Sequence, residues 1–298
     1  MISVSDLSII IPTIGESTLE ACIAETRRQA PNAEIILAGT GFDQSLQDKY
    51  FLTVYATKTR TIKPVLLNKL FTIAKNDHIV IIDADAIPCS GWAEAIAATF
   101  SNGYELFCGG VDISEGNYWM KVYNISFFHL FSSDNNHSAE PRNFVVGCNY
   151  GLTKNVYKMN GPFDENLMRA GDDYEYALRA KEKGIQPWFL PKPIVKHIPV
   201  DKNTFLSVMR FWFDTGYPTI KVRAKHQNLT QTPKIMANPW FVLFFSPILA
   251  LVPTYRVIRS RRSAMLREWI YLPFIYLTKI AWCFGFFHGY WKEKHHAV

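Results

Sequence analysis

Short apolar runs alternate with longer amphipathic segments along roughly the first two hundred residues of the chain. The runs are rich in β-branched residues and stop at proline, glycine or aspartate, as buried strands do where they enter loops. This alternation predicts an α/β domain with a mainly parallel central sheet. The predicted strands are residues 7–12, 34–38, 52–56, 79–83, 106–111, 144–148 and 185–190, and the predicted helices are residues 17–29, 65–75 and 172–184.

The C-terminal quarter has a different pattern, with two apolar segments separated by arginines. Residues 240–252 would form a helix roughly 20 Å long, which is shorter than the ~30 Å hydrocarbon core of a bilayer. Residues 269–291 are long enough to span a membrane but contain Pro273, Lys279 and His288. The arginines between the two segments are Arg256, Arg259, Arg261, Arg262 and Arg267.

These arginines favour attachment to a membrane surface. A crossing by residues 240–252 would put them on the side opposite the main domain, against the positive-inside tendency. Interfacial helices allow the arginines to contact lipid head groups instead. We therefore expect residues 231–298 to attach the protein to a membrane, with a single span by residues 269–291 as the alternative.

The composition indicates a main domain of about residues 1–230 on the cytoplasmic side. At 298 residues and 48% apolar content, the chain can bury a large core. Its five cysteines form no CxxC pair, and residues 1–6 lack the basic and apolar regions of a signal peptide. The net charge of +6 is modest, and no aromatic-basic repeat or zinc spacing predicts binding to nucleic acid.

One predicted strand runs directly into the sequence Asp83-Ala84-Asp85. Carboxylates two residues apart point to the same side of an extended chain. Their oxygen atoms are hard ligands that can hold Mg²⁺ or Mn²⁺ against a phosphate-bearing substrate. The alternative interpretation is a strand-end turn with two solvated aspartates.

Other motifs occur in order around this pair. The first strand ends in Pro12-Thr13, and the later motifs are Gly161-Pro162-Phe163-Asp164-Glu165, Gly171-Asp172-Asp173-Tyr174-Glu175 and His197. In this order and spacing, over about residues 7–200, the chain resembles the family 2 glycosyltransferases, which are inverting enzymes with a GT-A fold. In that family the aspartate pair is the DxD motif, and the two later motifs resemble the GGFDE turn and the GEDxD sequence.

The resemblance implies a role for each matching residue. Asp173 would be the catalytic base that accepts the proton of the acceptor hydroxyl. Asp83 and Asp85 would hold the donor diphosphate and a Mg²⁺ or Mn²⁺ ion, with Asp85 as the direct metal ligand, Asp83 on the metal or the ribose, and His197 as a third ligand. The remaining donor contacts that the resemblance implies are Pro12 and Thr13 beside the nucleotide base and Asn68 near the donor.

Two positions depart from the family. Its second strand ends in DDGS, whereas residues 38–43 here read Ala-Gly-Thr-Gly-Phe-Asp, which leaves the identity of the nucleotide open. Asp172 replaces a glutamate but keeps Asp173 in register. Asn149 matches another family position and is a candidate support for the acceptor site.

Several residues allow two interpretations. Lys58, Arg60 and Lys63 could reach the diphosphate, although a solvated loop is the favoured interpretation. Asn68 could equally be an exposed helix residue without a role in binding. Trp119 and Tyr123 could stack on an acceptor sugar or lipid, although packing beneath an acceptor loop is favoured.

The sequence therefore predicts a membrane-associated, metal-dependent inverting glycosyltransferase with a nucleotide-binding half at about residues 1–100 and an acceptor half at about 100–230. Its donor would be a nucleotide sugar, by preference a UDP-sugar. Its acceptor would be a saccharide or a lipid-linked molecule in envelope polysaccharide assembly, at the cytoplasmic face of the membrane.

Two alternatives remain open at this point. One is a degenerate relative that binds a nucleotide sugar at the membrane without catalysis. The other is a phosphohydrolase of the haloacid-dehalogenase type, in which Asp83 would be the nucleophile and Asp85 the acid and base. Against the second, Ile87 stands where that family has threonine or valine.

Overall fold

A computed structural model describes residues 1–134, 138–167 and 170–296. The described chain forms two compact units. The first comprises residues 1–113, 131–134, 138–167 and 172–200, and the second comprises residues 114–130, 170–171 and 201–296. The helices are α1 (Leu19–Gln29), α2 (Ser45–Tyr50), α3 (Lys63–Ile73), α4 (Trp92–Ser101), α5 (Tyr118–Phe128), α6 (Lys154–Asn160), α7 (Asp172–Glu182), α8 (Phe205–Lys225), α9 (Gln227–Thr230), α10 (Pro239–Phe244), α11 (Ser246–Ser260), α12 (Met265–Glu268) and α13 (Leu272–His296).

The first unit is built on one mixed sheet, which contains the strands of the described residues. The order along the sheet is β3-β2-β1-β4-β8-β6-β9-β5, with β7 paired to β9. Strands β3, β2, β1 and β4 are parallel to one another, whereas β8 is antiparallel to both β4 and β6. The strands are β1 (Leu7–Thr13), β2 (Glu34–Gly39), β3 (Thr53–Ala56), β4 (His78–Ile82), β5 (Ala86–Pro88), β6 (Leu106–Asp112), β7 (Glu140–Pro141), β8 (Asn149–Thr153) and β9 (Trp188–His197).

The predicted α/β architecture is confirmed in the parallel half of the sheet. The apolar runs that predicted β1, β2 and β4 are almost entirely buried, as expected for strands covered on both faces. Helices α1, α3 and α7 also lie within a few residues of their predicted bounds. Because these parallel strands end at one edge of the sheet, the loops after β1, β2 and β4 meet there.

Two strand predictions are wrong. Residues 144–148 are a loop, because their carbonyl groups bind outside the ladder: the oxygen of Cys148 accepts a hydrogen bond from the amide of Asp83. The strand starts one residue later, where Asn149 pairs with Ile82. The predicted end of the last strand at Pro191 is also wrong, since β9 continues to His197. The register shift between Gly109 and Gly110 accommodates the prolines of β9 as a bulge.

The second unit is helical, and glycines allow its two longest helices to approach each other closely. A Cβ atom on Gly216 of α8 would lie 2.2 Å from the carbonyl oxygen of Trp282 in α13. A Cβ atom on Gly285 of α13 would lie 1.7 Å from the carbonyl oxygen of Phe213 in α8. Only glycine allows the two backbones to come this close, as at many helix contacts in membrane proteins.

The apolar C-terminal segments form helices with different environments. Residues 240–252 are split between α10 and α11, because a new helix begins at Ser246 with Pro247 in its first turn. Within the described residues, one helical segment, Leu266–His295, is long and apolar enough to cross a membrane, and 33% of its most apolar stretch is buried. Lys279 in this segment is buried, with its ammonium group bonded to the carbonyl and hydroxyl oxygens of Ser126.

Candidate active site

The predicted aspartate pair lies in a tight turn at the carboxyl end of β4. The amide of Ala86 donates to the carbonyl of Asp83 at 2.9 Å, which closes the turn and starts β5. The chain is therefore not extended here, and the two side chains have different partners. Asp83 contacts Lys63, whereas Asp85 lies beside His197.

Strand pairing positions Asp85 against His197. The β5–β9 ladder places Ala86 opposite His197, and the amide of Ile198 donates to the carbonyl of Asp85 at 2.8 Å. As a result, His197 Nε2 lies 3.5 Å from Asp85 Oδ2. The imidazole is only 3% exposed, so its position is fixed by packing.

This pair fits a divalent metal that is shared with a substrate. In the described part of the chain, no three metal-ligating side chains gather into a complete protein site. Asp85 and His197 supply one carboxylate and one imidazole, both of which Mn²⁺ accepts, and Mg²⁺ and Mn²⁺ commonly take their remaining ligands from phosphate oxygens and water. Asp83, the other predicted ligand, has one oxygen bonded to Lys63 instead.

Lys63 contacts Asp83 and interacts electrostatically with Asp172 and Asp173, contrary to the favoured expectation of a solvated loop. Its ammonium nitrogen is 2.5 Å from Asp83 Oδ1 and 2.8 Å from the carbonyl oxygen of Gly147. Burial lowers the pKa of Lys63, but the negative charges of Asp83 and Asp172 outweigh burial and raise it above its usual range. The ammonium group is therefore charged throughout the physiological pH range.

Asp172 and Asp173 occupy the first turn of α7. Burial, followed by the charge of Asp172, raises the pKa of Asp173 to about 7, and burial raises the pKa of Asp172 as well. The amide of Tyr174 donates to Asp173 Oδ1 at 2.8 Å. A carboxylate with a pKa near 7 is well matched to general base catalysis at neutral pH.

Burial is also the largest influence on Asp83, whose pKa it raises to about 6, while Lys63 acts in the opposite direction. The side chains of Lys63 and Asp83 remain 24% and 32% exposed, so this ion pair faces a solvent-accessible cleft. Because Asp83 also contributes to the raised pKa of Asp173, the predicted donor and catalytic residues lie within electrostatic range of one another.

Gly147 gives Lys63 and Asp173 the space to approach. A Cβ atom on Gly147 would lie 2.8 Å from Asp173 Oδ2 and 3.6 Å from Lys63 Nζ. The sequence offered Lys63 only as a less favoured diphosphate contact, and it gave no role to Gly147. The only sequence signal for Gly147 was a glycine within an apolar run, which is a common mark of close backbone approach.

The side chain of Asn68 is held by hydrogen bonds beside the turn at residues 161–165. Its side-chain amide donates to the carbonyl of Phe163 at 3.0 Å and to Glu165 Oε1 at 2.8 Å. Its oxygen accepts from the amide of Phe163 at 2.8 Å and from the hydroxyl of Tyr157 at 3.2 Å. These bonds tie Asn68 to the turn at residues 161–165. The residue also lines an open cleft of about 560 Å³ together with Tyr55, Thr57 and Glu165.

Pro12 and Thr13 lie at the end of β1, next to the end of β2. The Thr13 hydroxyl donates to Glu16 Oε2 at 2.5 Å. Gly39 has a φ of +135°, and a Cβ atom there would lie 1.8 Å from the carbonyl oxygen of Thr13. The backbones at Thr13 and Gly39 are therefore in close contact, and any side chain at position 39 would clash in this conformation. Asp43, the acidic residue that follows in this loop, accepts from the amide of Ser45 at the start of α2.

The remaining candidate residues are held by contacts within the protein. Asn149 is buried, accepts from the indole of Trp92 at 3.0 Å, and donates to the carbonyls of Gly110 and Pro193. Trp119 and Tyr123 belong to the second unit. They pack against aromatic neighbours there: Phe205 and Phe274 for Trp119, and Phe127 and Phe211 for Tyr123.

Two solved structures with similar folds hold a nucleotide sugar or a nucleotide. A mannosyltransferase from Pyrobaculum calidifontis, in complex with GDP-Man and Mn²⁺, is 15% identical with a TM-score of 0.56, covering 92% of this chain and 86% of that one. S. aureus TarS 1-349 in complex with UDP is 14% identical with a TM-score of 0.51, covering 96% and 91%. These likenesses show the fold.

Other chains with similar folds are longer than this one. The chain spans 54% of the longer S. aureus TarS structure, which is 14% identical with a TM-score of 0.52 over 93% of this chain. It spans 43% of a GalNAc-T7 structure with UDP, GalNAc and Mn²⁺, at 17% identity, 64% coverage of this chain and a TM-score of 0.49. Comparison with the sequences of curated proteins found no match.

The family is established by the sequence itself. Residues 8–158, which are 151 of the 298 residues, match Glycosyl transferase family 2. The matched region contains β1, the aspartate pair after β4 and the loop that contacts Lys63. The family match also argues against the phosphohydrolase alternative, in which the aspartate pair would follow the first strand of the sheet. The chain belongs to glycosyl transferase family 2 and is a glycosyltransferase with a GT-A-like α/β fold.

Proposed function

We propose that this glycosyltransferase is metal-dependent and inverting, and that it transfers a sugar from a nucleotide sugar to a lipid-linked or envelope-polysaccharide acceptor. A UDP-sugar is the proposed donor. The observation that carries this proposal is the convergence of three carboxylates, those of Asp83, Asp172 and Asp173, around Lys63 at the edge of the sheet, with Asp85 next to Asp83 and beside His197. Similar folds that hold GDP-Man with Mn²⁺ or UDP support the choice of ligand class.

Asp173 is the proposed catalytic base. It accepts the proton of the acceptor hydroxyl as the hydroxyl oxygen attacks C1 of the donor sugar. The bond between C1 and the diphosphate oxygen breaks, and its electron pair leaves with the nucleoside diphosphate. Attack from the face opposite the leaving group inverts C1, so an α-linked donor gives a β-linked product.

Asp85 and His197 would hold the metal ion, with Asp83 beside the diphosphate. A divalent ion bound there supplies positive charge that offsets the charge of the departing diphosphate. Pro12, Thr13 and the loop after β2 would border the nucleotide base. In this proposal Asn68 acts on the donor indirectly, by fixing the turn at residues 161–165.

Two features of the second unit support attachment to the cytoplasmic face of a membrane. The side chains of Trp240, Phe244, Ile248, Leu251 and Tyr255 recur at helical spacing through α10 and α11, and each is 48–74% exposed. The arginines that follow along the chain can contact anionic lipid head groups. The exposed arginines are Arg256, Arg259, Arg262 and Arg267. Arg261 does not fit the expectation that all five arginines contact lipid head groups, because it is 1% exposed and pairs with Glu268.

Donor binding tests the proposal. The melting temperature of the protein is measured with UDP-, GDP- and dTDP-sugars, with and without Mn²⁺. A donor in large excess over its dissociation constant should stabilise the protein by ~2–4 kcal/mol. The stabilisation should require Mn²⁺, be lost in Asp85→Ala and persist in the control Asp48→Ala, since Asp48 is exposed on α2. A complete lack of stabilisation by every donor would contradict the proposal, whereas binding without turnover would favour the degenerate alternative.

Vesicle binding tests the membrane part of the proposal. The protein should cosediment with vesicles that contain anionic lipid, and more weakly with neutral phosphatidylcholine vesicles. Combined Arg256→Gln, Arg259→Gln and Arg262→Gln should weaken binding, because each basic residue near an anionic surface contributes about 1 kcal/mol. A matched triple change of the exposed Lys75, Lys158 and Lys192 to glutamine should not. Equal binding by both triple variants would contradict the assigned surface.

A further inference from the structure

Tyr150 is a buried tyrosine in the middle of the sheet. It is 1% exposed, and strand β8 pairs it with Ile81 of β4 on one side and with Cys108 of β6 on the other. Consecutive side chains of a strand point to opposite faces of the sheet. Asn149, the preceding residue, is bonded to Trp92 on one face, so the ring of Tyr150 points to the other face.

The hydroxyl group of Tyr150 is a buried polar group without a hydrogen bond. No donor or acceptor among the described residues is its partner. Nearly all buried polar groups in proteins are hydrogen-bonded, and a buried group that is left unpaired destabilises the fold. A phenylalanine would fill the same space without that cost, so the hydroxyl group makes no visible contribution to folding.

The groups that act on this hydroxyl belong to the candidate active site. Burial raises the pKa of Tyr150 well above its usual range, and the charge of Asp172 is the next largest cause. The phenol therefore stays protonated at physiological pH and can donate its proton to a carboxylate. The titratable groups that face Tyr150 and Asp172 from the packed elements are Asp172, Asp173 and Tyr176 of α7, Asp83 after β4 and Lys63 of α3.

We propose that Tyr150 is a positioning residue whose hydroxyl group donates a hydrogen bond to the carboxylate of Asp172 when the site is loaded with substrates. This inference rests on the proposed function. Hydrogen bonds at active sites are often long in the unloaded enzyme and tighten only in the complex. A hydrogen bond to the charged form of a carboxyl group favours that form, so the bond keeps Asp172 ionised. Ionised Asp172 in turn keeps Asp173 basic.

A double-mutant cycle tests this role. Release of UDP from UDP-glucose, UDP-galactose or UDP-N-acetylglucosamine is measured with saturating donor and Mn²⁺, with water as the surrogate acceptor, between about pH 5.5 and 9. In Tyr150→Phe the midpoint of the kcat profile should fall by about half a pH unit, because Asp172 then takes up a proton more readily and raises the pKa of Asp173 less. The variant that combines Tyr150→Phe with Asp172→Asn should have the same midpoint as Asp172→Asn alone, because the hydroxyl group then has no charged carboxylate to act on.

Tyr176→Phe is the matched control. Tyr176 is also fully buried, but after burial the groups that act on its pKa are Asn160 and Arg179. This control should leave the midpoint unchanged. Tyr150→Phe should keep or raise the melting temperature, because the substitution breaks no hydrogen bond and removes an unpaired polar atom.

The outcomes separate this inference from the proposed function. Turnover with an unmoved midpoint in Tyr150→Phe, or a further shift when it is combined with Asp172→Asn, would overturn the role of Tyr150 and leave Asp173 as the base. A lower melting temperature of Tyr150→Phe with the wild-type midpoint would assign the hydroxyl group to packing and would also overturn it. Failure of the wild type to turn over any UDP-, GDP- or dTDP-sugar would overturn both this inference and the proposed function.

Discussion

The pH dependence of turnover should report the environment of Asp173. Burial and the charge of Asp172 raise the pKa of this carboxyl group to about 7. A base with that pKa is about 91% ionised at pH 8 and about 9% ionised at pH 6. If Asp173 accepts the acceptor proton, kcat/KM should therefore fall about tenfold between pH 8 and pH 6, with a single midpoint near 7.

Asp172→Asn removes the second-largest cause of this raised pKa. A neighbouring like charge in this range typically shifts a carboxyl pKa by about 1 unit, which is about 1.4 kcal/mol. The midpoint of the profile should then move to about pH 6. Relative to its own plateau at high pH, the variant should retain about half of its activity at pH 6, compared with about a tenth for the wild type.

The assay is release of nucleoside diphosphate at low donor concentration between pH 5.5 and 9, with Mn²⁺ saturating at each pH. Asp48→Asn is the control, because it removes a carboxylate from the exposed face of α2 and should leave the midpoint unchanged. A wild-type midpoint below pH 5, or a midpoint that stays in place in Asp172→Asn, would refute the assignment of Asp173 as a base tuned by burial and by its neighbour.

The same raised pKa has a consequence for stability. The folded state binds the proton of Asp173 more tightly than the unfolded state, whose carboxyl group has its ordinary pKa near 3.8. The stability that this proton contributes is fully present below that value and is lost as the pH rises through about 7. Asp173→Asn should therefore raise the melting temperature more at pH 8 than at pH 5, and a larger gain at pH 5 would contradict the burial of this charge.

Three further substitutions test the supports of the site. Gly147→Ala should lower kcat about tenfold with a melting temperature close to that of the wild type, since its Cβ would lie 2.8 Å from Asp173 Oδ2 and displace the base; unchanged kcat in steady-state kinetics would contradict this. Asn149→Ala should lower the free energy of unfolding by about 2–5 kcal/mol in urea titrations, because three buried groups lose their partner, whereas exposed Asn155→Ala should not. Asn68→Ala should lower the free energy of unfolding by about 1–3 kcal/mol and raise the KM for the donor. An unaltered KM would show that the turn held by Asn68 is remote from the donor.

Local sequence patterns were sufficient to predict the parallel half of the sheet. Strands β1, β2 and β4 are apolar runs covered on both sides, so their identity depends on composition within a few residues and hardly on the rest of the chain. The same strands place the aspartate pair at a sheet edge, because a parallel strand must end where its neighbours end. The order of short motifs then added Asp173 and His197 to the site.

Local sequence patterns could not predict the environment of residues that depend on long-range contacts. Lys63 reads as a loop residue in the sequence, and only the approach of Gly147, 84 positions away, makes it part of the site. Residues 144–148 have the composition of a strand, but their carbonyl groups bind Lys63 and the amide of Asp83 and not a neighbouring strand. The close contact of Gly39 with the backbone of Thr13 is likewise a long-range feature that no local pattern predicts.

The central claim is that one site binds a nucleotide sugar through Asp85 and uses Asp173 for the chemistry. The most direct test measures donor affinity and nucleoside diphosphate release on the same preparations of the wild type, Asp173→Asn and Asp85→Ala. The account predicts that Asp173→Asn binds the donor with nearly wild-type affinity in Mn²⁺ but releases no product, whereas Asp85→Ala loses the Mn²⁺-dependent part of donor binding. Turnover by Asp173→Asn at a rate near that of the wild type, or an equal loss of donor affinity in both variants, would contradict it.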